Sequence, residues 1–316
     1  MRTRLTSRRR QSGIALITAV LIVALATILA TQIGFDSALE QRRSSTVLLL
    51  DQAFLVGLGA EAWAASYLKD DLENSEQDHF GERWATPIPP IPIDGGMIEG
   101  FIEDMQGRFN LNELVTAEGA VNPEGLREFQ NLLSALELES KWAGILADWL
   151  DTDTQPSFPD GAEDDLYTSQ TPPYRAANGP ITSVSELLAL PGFDLERFQR
   201  LRPYVTALPI GTRINLCTAP GAVIDALSDG TKEFSVDPEG LARQRAERCF
   251  PTADDLKAAF GDDSFSRIAT RVEEKSSFFR LTALVSIGTT QMSLYSLLQR
   301  DTSGAVRPVL RSLGSE

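Results

Sequence analysis

From Asp148 to Asp165 the chain reads DWLDTDTQPSFPDGAEDD, its densest run of groups that could do chemistry. Asp151 and Asp153 with Glu163 and Asp164 could converge on one hard cation. Calcium takes about 6–8 oxygen ligands, and carboxylates on a Gly/Pro loop can wrap an ion where a straight helix cannot. The spacing is not that of an EF-hand, because the stretch opening at Asp151 has no glycine at its sixth position and no glutamate at its twelfth. By composition alone, an acidic solvated loop is the simpler reading of the same residues.

Other reactive side chains are few. His79 is the single histidine and lies in a polar stretch without an obvious partner, which argues against imidazole-based metal or nucleophile chemistry. No G-x-S-x-G, H-E-x-x-H or phosphate-loop pattern occurs, so the constellations an enzyme of those classes needs are missing. A hydrolase built on a pair of carboxylates stays open, because Asp and Glu occur throughout the chain and carry no specificity. Around Pro191-Gly192-Phe193 the sequence resembles a helix-hairpin-helix module, which binds phosphate through backbone amides. Asp194 and Glu196 flank that turn, so it reads as a packing motif. Cys217 and Cys249 are the two cysteines. In an exported chain they suggest one disulfide, worth on the order of 3–4 kcal/mol through the unfolded state; two buried free thiols are the alternative.

Whether the chain is exported is written at its start. Five of the first ten residues are arginine, and residues 14–35, IALITAVLIVALATILATQIGF, carry no charge and no proline. At 1.5 Å per residue the apolar stretch is about 33 Å long, enough for a bilayer core of roughly 30 Å. The arginines hold the leader in the cytoplasm and send everything after Asp36 outward. A secretory signal peptide cleaved near Ala24-Leu25-Ala26, an ordinary signal anchor and a leader cut at Ser12-Gly13-Ile14 all fit this pattern. The first of these must explain why the apolar run continues to Phe35. The whole chain of 316 residues has a net charge of −15, and loss of the arginine-rich leader makes the remainder more acidic still. Such a body repels nucleic acid and anionic lipid and can hold divalent cations.

The elements that must position the acidic loop can be outlined from pattern. Residues 36–72 contain no proline, and Leu48, Leu55, Leu58, Ala62 and Ala65 recur near helical spacing, which predicts a stalk helix with that face on a globular head. TPIPPIPIDGG at 86–96 reads as a linker, since its four prolines preclude helix. Met97–Glu103 alternates like a strand. A helix opens at Asn122-Pro123-Glu124-Gly125 and runs through Leu138, and another spans Lys141–Leu150; beyond the acidic loop Ser183–Leu190 and Leu195–Tyr204 are short helices. Pro220–Leu227, Pro238–Arg248 and Ala253–Phe260 form a second helical stretch. Phe278–Ile287, Gln291–Gln299 and Arg307–Leu313 read as strands. Arg108-Phe109-Asn110-Leu111-Asn112 is echoed by Arg213-Ile214-Asn215-Leu216-Cys217, each before a helical segment.

Taken together these features resemble the K-class minor pseudopilins of type II secretion over nearly the whole chain. The resemblance rests on the Gly13-Ile14 boundary, on Asp148-Trp149-Leu150-Asp151-Thr152-Asp153, on Gly161-Ala162-Glu163-Asp164 with Tyr167, and on Pro173-Tyr174-Arg175 with Asn178. It implies cleavage after Gly13 and methylation of Ile14. Mature position five is then Thr18, where most pilin-like subunits carry the Glu that pairs with a neighbour's terminal amine; the K class shares this departure, and it suits a filament tip. The implied calcium ligands are Asp151, Asp153, Glu163, Asp164 and Asn178, with Asp160 and Asp165 in reserve, and the implied role of Ca2+ is structural. The implied fold is α+β: a pilin-like long N-terminal helix packed on an antiparallel sheet, with a large all-α insertion. Its expected parts are a cleaved leader (1–13), a transmembrane helix (14–35), stalk, linker and first strand (36–109), the helical insertion (110–212), and a second helical segment with the C-terminal sheet (213–316). The implied partners are other minor pseudopilins in a heterotrimeric tip complex, the major pseudopilin, the prepilin peptidase and the inner-membrane assembly platform, without nucleic acid. The implied role is non-catalytic, in a single-pass inner-membrane protein with its bulk in the periplasm. A membrane-anchored periplasmic calcium-binding or hydrolase domain without a filament role is the competing expectation.

Overall fold

A single helix, α1 (Ile14–Asn74), takes up the first 61 residues of the computed structural model, which describes residues 14–228 and 232–314. Gly13 and the rest of the leader lie outside the described residues, and Ile14 is the first residue of α1. Among the described residues α1 alone is long and apolar enough to cross a membrane, and none of its most apolar window is buried within the protein. Its polar side chains there are turned inward: the hydroxyls of Thr18, Thr27 and Thr31 donate to the carbonyls of Ile14, Val23 and Ile28 at 3.1, 2.8 and 2.8 Å. Hydroxyls that return to their own helix backbone are satisfied without water, as a lipid-facing helix requires.

After α1 the chain forms β1 (Ile88–Ile93), β2 (Gly96–Asp104) and β3 (Phe109–Asn110), then α2 (Pro123–Ala135), α3 (Lys141–Leu150) and α4 (Asp164–Thr168). A 3-10 helix (Val184–Ala189), α5 (Leu195–Leu201) and β4 (Val205–Thr206) follow. Next come β5 (Ile214–Asn215), α6 (Gly221–Ala226), α7 (Pro238–Gln244), α8 (Ala253–Phe260), α9 (Asp262–Ile268) and β6 (Val272–Glu273). The chain closes with β7 (Phe278–Ile287), β8 (Thr290–Arg300) and β9 (Val306–Leu313). β1, β2, β7, β8 and β9 make one antiparallel sheet in that order. The proline-rich stretch is therefore an edge strand and not a linker. Prolines preclude a helix there, but a strand at a sheet edge needs hydrogen bonds on one side only.

The sheet packs against α1 through Ile102, Phe279, Leu281, Ala283, Val285, Met292, Leu294 and Leu298. The face of α1 it covers differs from the expected one. Ala53, Gly57, Glu61, Ala64 and Leu68 are buried, whereas Leu48 and Leu55 are 68% and 67% exposed. Close approach of helix and sheet selects small residues: a Cβ on Gly57 would stand 3.1 Å from Leu294 Cδ2 and 3.3 Å from Met292 Cε. Glu61 is tolerated on this face because Arg311 donates to both its oxygens at 2.7 and 2.8 Å and Ser296 Oγ donates at 2.7 Å.

Between β2 and β7 the chain builds two helical units, and the five-residue echo opens both. β3 pairs in parallel with β4 and closes the first unit; β5 pairs in parallel with β6 and closes the second. Asn110 Oδ1 accepts from Asn112 N at 3.2 Å, and Asn215 Oδ1 accepts from Cys217 N at 3.0 Å, so the same side-chain turn starts each. The two units share a core that includes Phe109, Phe129, Leu146, Leu150, Leu216, Val223 and Leu256. Cys217 and Cys249 form a disulfide inside the second unit.

One buried arginine holds these parts together. Arg300 Nη2 donates to both oxygens of Asp78 at 2.6 Å and to the Ser276 carbonyl at 2.8 Å, and Nη1 donates to the Leu68 carbonyl at 2.9 Å. Ser276 in turn donates from N to Asp78 and from Oγ to Asp104, each at 2.7 Å. Asn215 reaches the same Asp104 oxygen at 2.8 Å, which joins the second helical unit to the sheet. Removing one partner of such a pair strands the other charge in the interior. Arg300→Met is therefore expected to lower unfolding stability by about 3–5 kcal/mol in urea titrations, whereas Arg200→Met, on an exposed pair with Glu196, should change it by less than about 0.5 kcal/mol.

Candidate metal centre

α3 is amphipathic and puts Trp142, Leu146, Trp149 and Leu150 into the core. The same burial carries Asp148, fully enclosed, and Asp151, which caps the helix end. Beyond Asp151 the loop folds back on these carboxylates. Asp153 Oδ1 accepts from Gln155 N at 2.7 Å, and Asp148 Oδ2 accepts from Ser157 N at 2.9 Å. Gly161 passes so close to Asp148 Oδ2 and Ser157 N that any Cβ there would collide with both. That closeness brings in Glu163, buried at the start of α4.

One oxygen each of Asp151, Asp153 and Glu163 lies within 4.8 Å of the other two. Asn178 adjoins them: in a left-handed backbone conformation (φ 46°), its Nδ2 donates to the Asp153 carbonyl at 2.9 Å. Asp148 Oδ1, Asp151 Oδ1, both oxygens of Glu163 and Asn178 Oδ1 are buried without a hydrogen bond. Among the described residues no basic side chain pairs with Asp151, Asp153 or Glu163. Burial, followed by the charges of Asp153 and Asp148, pushes the Asp151 carboxyl up to about 6. Burial and the four neighbouring carboxylates of Asp148, Asp151, Asp153 and Asp164 push Glu163 up to about 7.

Buried, unpartnered oxygens at this density fit a hard cation. The donors are all carboxylate or amide oxygens, with no imidazole or thiolate among them, which matches calcium rather than zinc. Asp151, Asp153, Glu163 and Asn178 would hold the ion. Asp164 is engaged elsewhere: its Oδ1 accepts from Ala176 N at 3.1 Å, and Arg175 Nε stands 3.8 Å from Oδ2. Asp160 and Asp165 are exposed. Asp148 stands behind this set, with Oδ2 accepting from Ser157 N and its charge acting on Asp151 and Glu163. Its signal in the sequence is the three-residue step to Asp151, which puts both carboxylates near one side at the end of α3. Beside the site Trp149, Tyr167 and Tyr174 pack ring on ring, with centroids 5.0 Å apart for the first pair and 5.6 Å for the second.

Comparison with known proteins places this architecture. Residues 107–210 match the family model for type II secretion system protein K. The chain is 36% identical to the type II secretion system protein K of Pseudomonas aeruginosa, over 97% of this chain and 94% of that one. It is 39% identical to the Klebsiella pneumoniae protein of the same name, over 63% of each. Among solved structures it resembles a chain of the GspK-GspI-GspJ complex of enterotoxigenic Escherichia coli, with a TM-score of 0.77 and 25% identity, covering 87% of this chain and all of that one.

The raised carboxyls fix the sign of a pH effect. Asp151 and Glu163 bind protons more tightly folded than unfolded, so the stability that protonation confers is present at low pH and is lost as pH rises through about 6 to 7. In chelator the melting temperature should fall between pH 5 and pH 8 (roughly the range spanning these groups), and Glu163→Gln should flatten that slope. Calcium should raise the midpoint of the native chain at neutral pH by more than it raises that of Asp151→Asn/Glu163→Gln; an equal shift in both would contradict the site.

Proposed function

This chain belongs to the type II secretion system protein K family, and from that premise we propose that it is the minor pseudopilin at the tip of a periplasmic pseudopilus. It works by assembly and not by catalysis. Residues 14–35 anchor it in the inner membrane after cleavage at Gly13, and the head stands in the periplasm. The two other minor pseudopilins bind it as a heterotrimer. The major pseudopilin follows below, and the prepilin peptidase and the inner-membrane platform process and load it.

The observation that carries this reading is the division of labour along α1. The small face, Ala53, Gly57 and Ala64, is consumed by the chain's own sheet. The large apolar residues Leu48 and Leu55 point away from it and stay exposed. Each such side chain contributes about 1.5–3 kcal/mol when a neighbour covers it, so the stalk is built to be buried by other subunits. Thr18 supports the terminal position. Its hydroxyl is taken up by its own helix, so no carboxylate at that position waits for the terminal amine of a subunit above. The two helical units add bulk that a subunit stacked above would meet, which suits a cap. Calcium, bound by Asp151, Asp153, Glu163 and Asn178, neutralises the carboxylates and fixes the loop on that cap.

Mass spectrometry of the processed protein tests the anchor: the expected species begins with N-methylated Ile14, and an intact Met1 or a start at Thr27 would contradict the reading. Co-expression with the two other minor pseudopilins should yield one equimolar complex. Leu55→Glu should disrupt that complex while leaving the melting temperature of the isolated chain unchanged, because Leu55 supports no contact of the head.

A further inference from the structure

Where α1 ends, a second group of carboxylates meets. Asp71 lies in the last turn of α1, Asp78 in the connection that follows, and Glu82 just before a short 3-10 turn at Arg83–Ala85. One oxygen of each lies within 4.8 Å of the other two. All three side chains are close to fully buried, Glu82 being 9% exposed.

Their positive partners fall short. Arg300 serves Asp78 with two bonds of 2.6 Å and reaches Asp71 Oδ2 at 3.2 Å. Glu82 uses Oε2 to accept from His79 N at 3.0 Å and from Trp84 Nε1 at 2.8 Å, while Oε1 is buried without a hydrogen bond. The His79 imidazole stands 3.9 Å from that oxygen and accepts the Gly81 N–H at its other nitrogen. Asp104, buried, adds a fourth carboxylate through Ser276. The C-terminal end of a long helix adds further negative potential. Several carboxylates, one guanidinium and a helix C-terminus leave the joint with excess negative charge in the interior.

We propose that Asp71, Asp78 and Glu82 hold a second hard cation, of calcium or a similar oxygen-seeking ion, which pins the end of the stalk helix to the head. The unpartnered Glu82 Oε1 is the oxygen that points to it, and Arg300 leaves lone pairs on Asp78 Oδ1 and Asp71 free to coordinate. The ion is separate from the one at the end of α3 and joins different elements: the stalk, the loop after it and, through Arg300, β8. A proton is its competitor, since burial, Glu82 and Asp78 push the Asp71 carboxyl up to about 7.

Trp84, bonded to Glu82, is a built-in reporter for terbium, which takes the same oxygen ligands as calcium. The experiment uses the full chain in detergent with Asp151→Asn and Glu163→Gln in place, so that the α3 cluster is silent. Terbium should then give saturable tryptophan-sensitised emission that excess calcium displaces. Glu82→Gln, checked for folding by its melting curve, should weaken terbium binding by about tenfold or more, and Trp84→Phe should remove the emission. Absence of emission in the α3-silenced chain would overturn the proposal and leave the joint to a proton. Emission that survives Glu82→Gln or Trp84→Phe would overturn it as well, because the ion would then sit elsewhere on an acidic surface.

Discussion

At the end of α3 the protein buries more negative charge than its own side chains neutralise, and the shape of the first helical unit depends on how that charge is met. Asp148 and Asp151 are carried inward by a helix that must bury Trp142, Leu146 and Trp149. The loop then returns to the same point, with Ser157, Gly161 and Glu163 all set by their closeness to Asp148. Isolated carboxylates in such a place are strongly unfavourable unless paired or bound to a metal. A bound cation would convert the same arrangement from repulsion into a clamp, and a long connection with little secondary structure would gain a fixed path. Asn178, the residue that closes the loop onto Asp153, adopts a left-handed conformation to do so; local strain of this kind persists where the surroundings over-determine it.

The second helical unit reaches the same end by other means. It opens with the same Asn-led turn, but Cys217 stands where the first unit has Asn112. Asn112 ties its unit shut with hydrogen bonds to Ile181 and to the Leu208 carbonyl. Cys217 does so with a covalent bond to Cys249. The units are locked to each other by Glu128, fully buried in α2, which takes two short bonds from Arg271 at 2.7 and 2.6 Å. Both hang from the joint around Arg300, Asp78 and Asp104, so stalk, sheet and helical units are tied by one buried polar network. A network of this kind favours a single arrangement of its parts only while each member is satisfied.

Much of this was legible in the sequence, and what was missed shares a physical cause. α3 and β7 follow from hydrophobic period and length, and the acidic motif stood out by composition. The five-residue echo proved to be the opening turn of two units, because an Asn that must accept a local N–H leaves a readable signature. The stalk face was misread because periodicity weighs large apolar residues, whereas close helix–sheet contact selects Ala53, Gly57 and Ala64. The edge strand β1 was hidden by prolines that only a one-sided strand tolerates. Buried charges are the hardest to foresee: Glu61, Asp78 and Arg300 look like surface residues until partners more than 200 positions away in sequence reach them. Asp148 is legible only through its three-residue step to Asp151; that this side of α3 faces inward is set by the core the helix packs on.

In the proposed role the stalk presents apolar residues to neighbours, and the helical units form the cap, so cation binding would harden the first of those units. The central claim is that the oxygens at the end of α3 are completed by an ion. Isothermal titration of calcium into the chelator-stripped full chain is the most direct measurement. The geometry predicts a saturable binding event that is lost when Asp151 and Glu163 are replaced by Asn and Gln, leaving only the binding at the end of the stalk helix; identical heats from the native and substituted chains would contradict it.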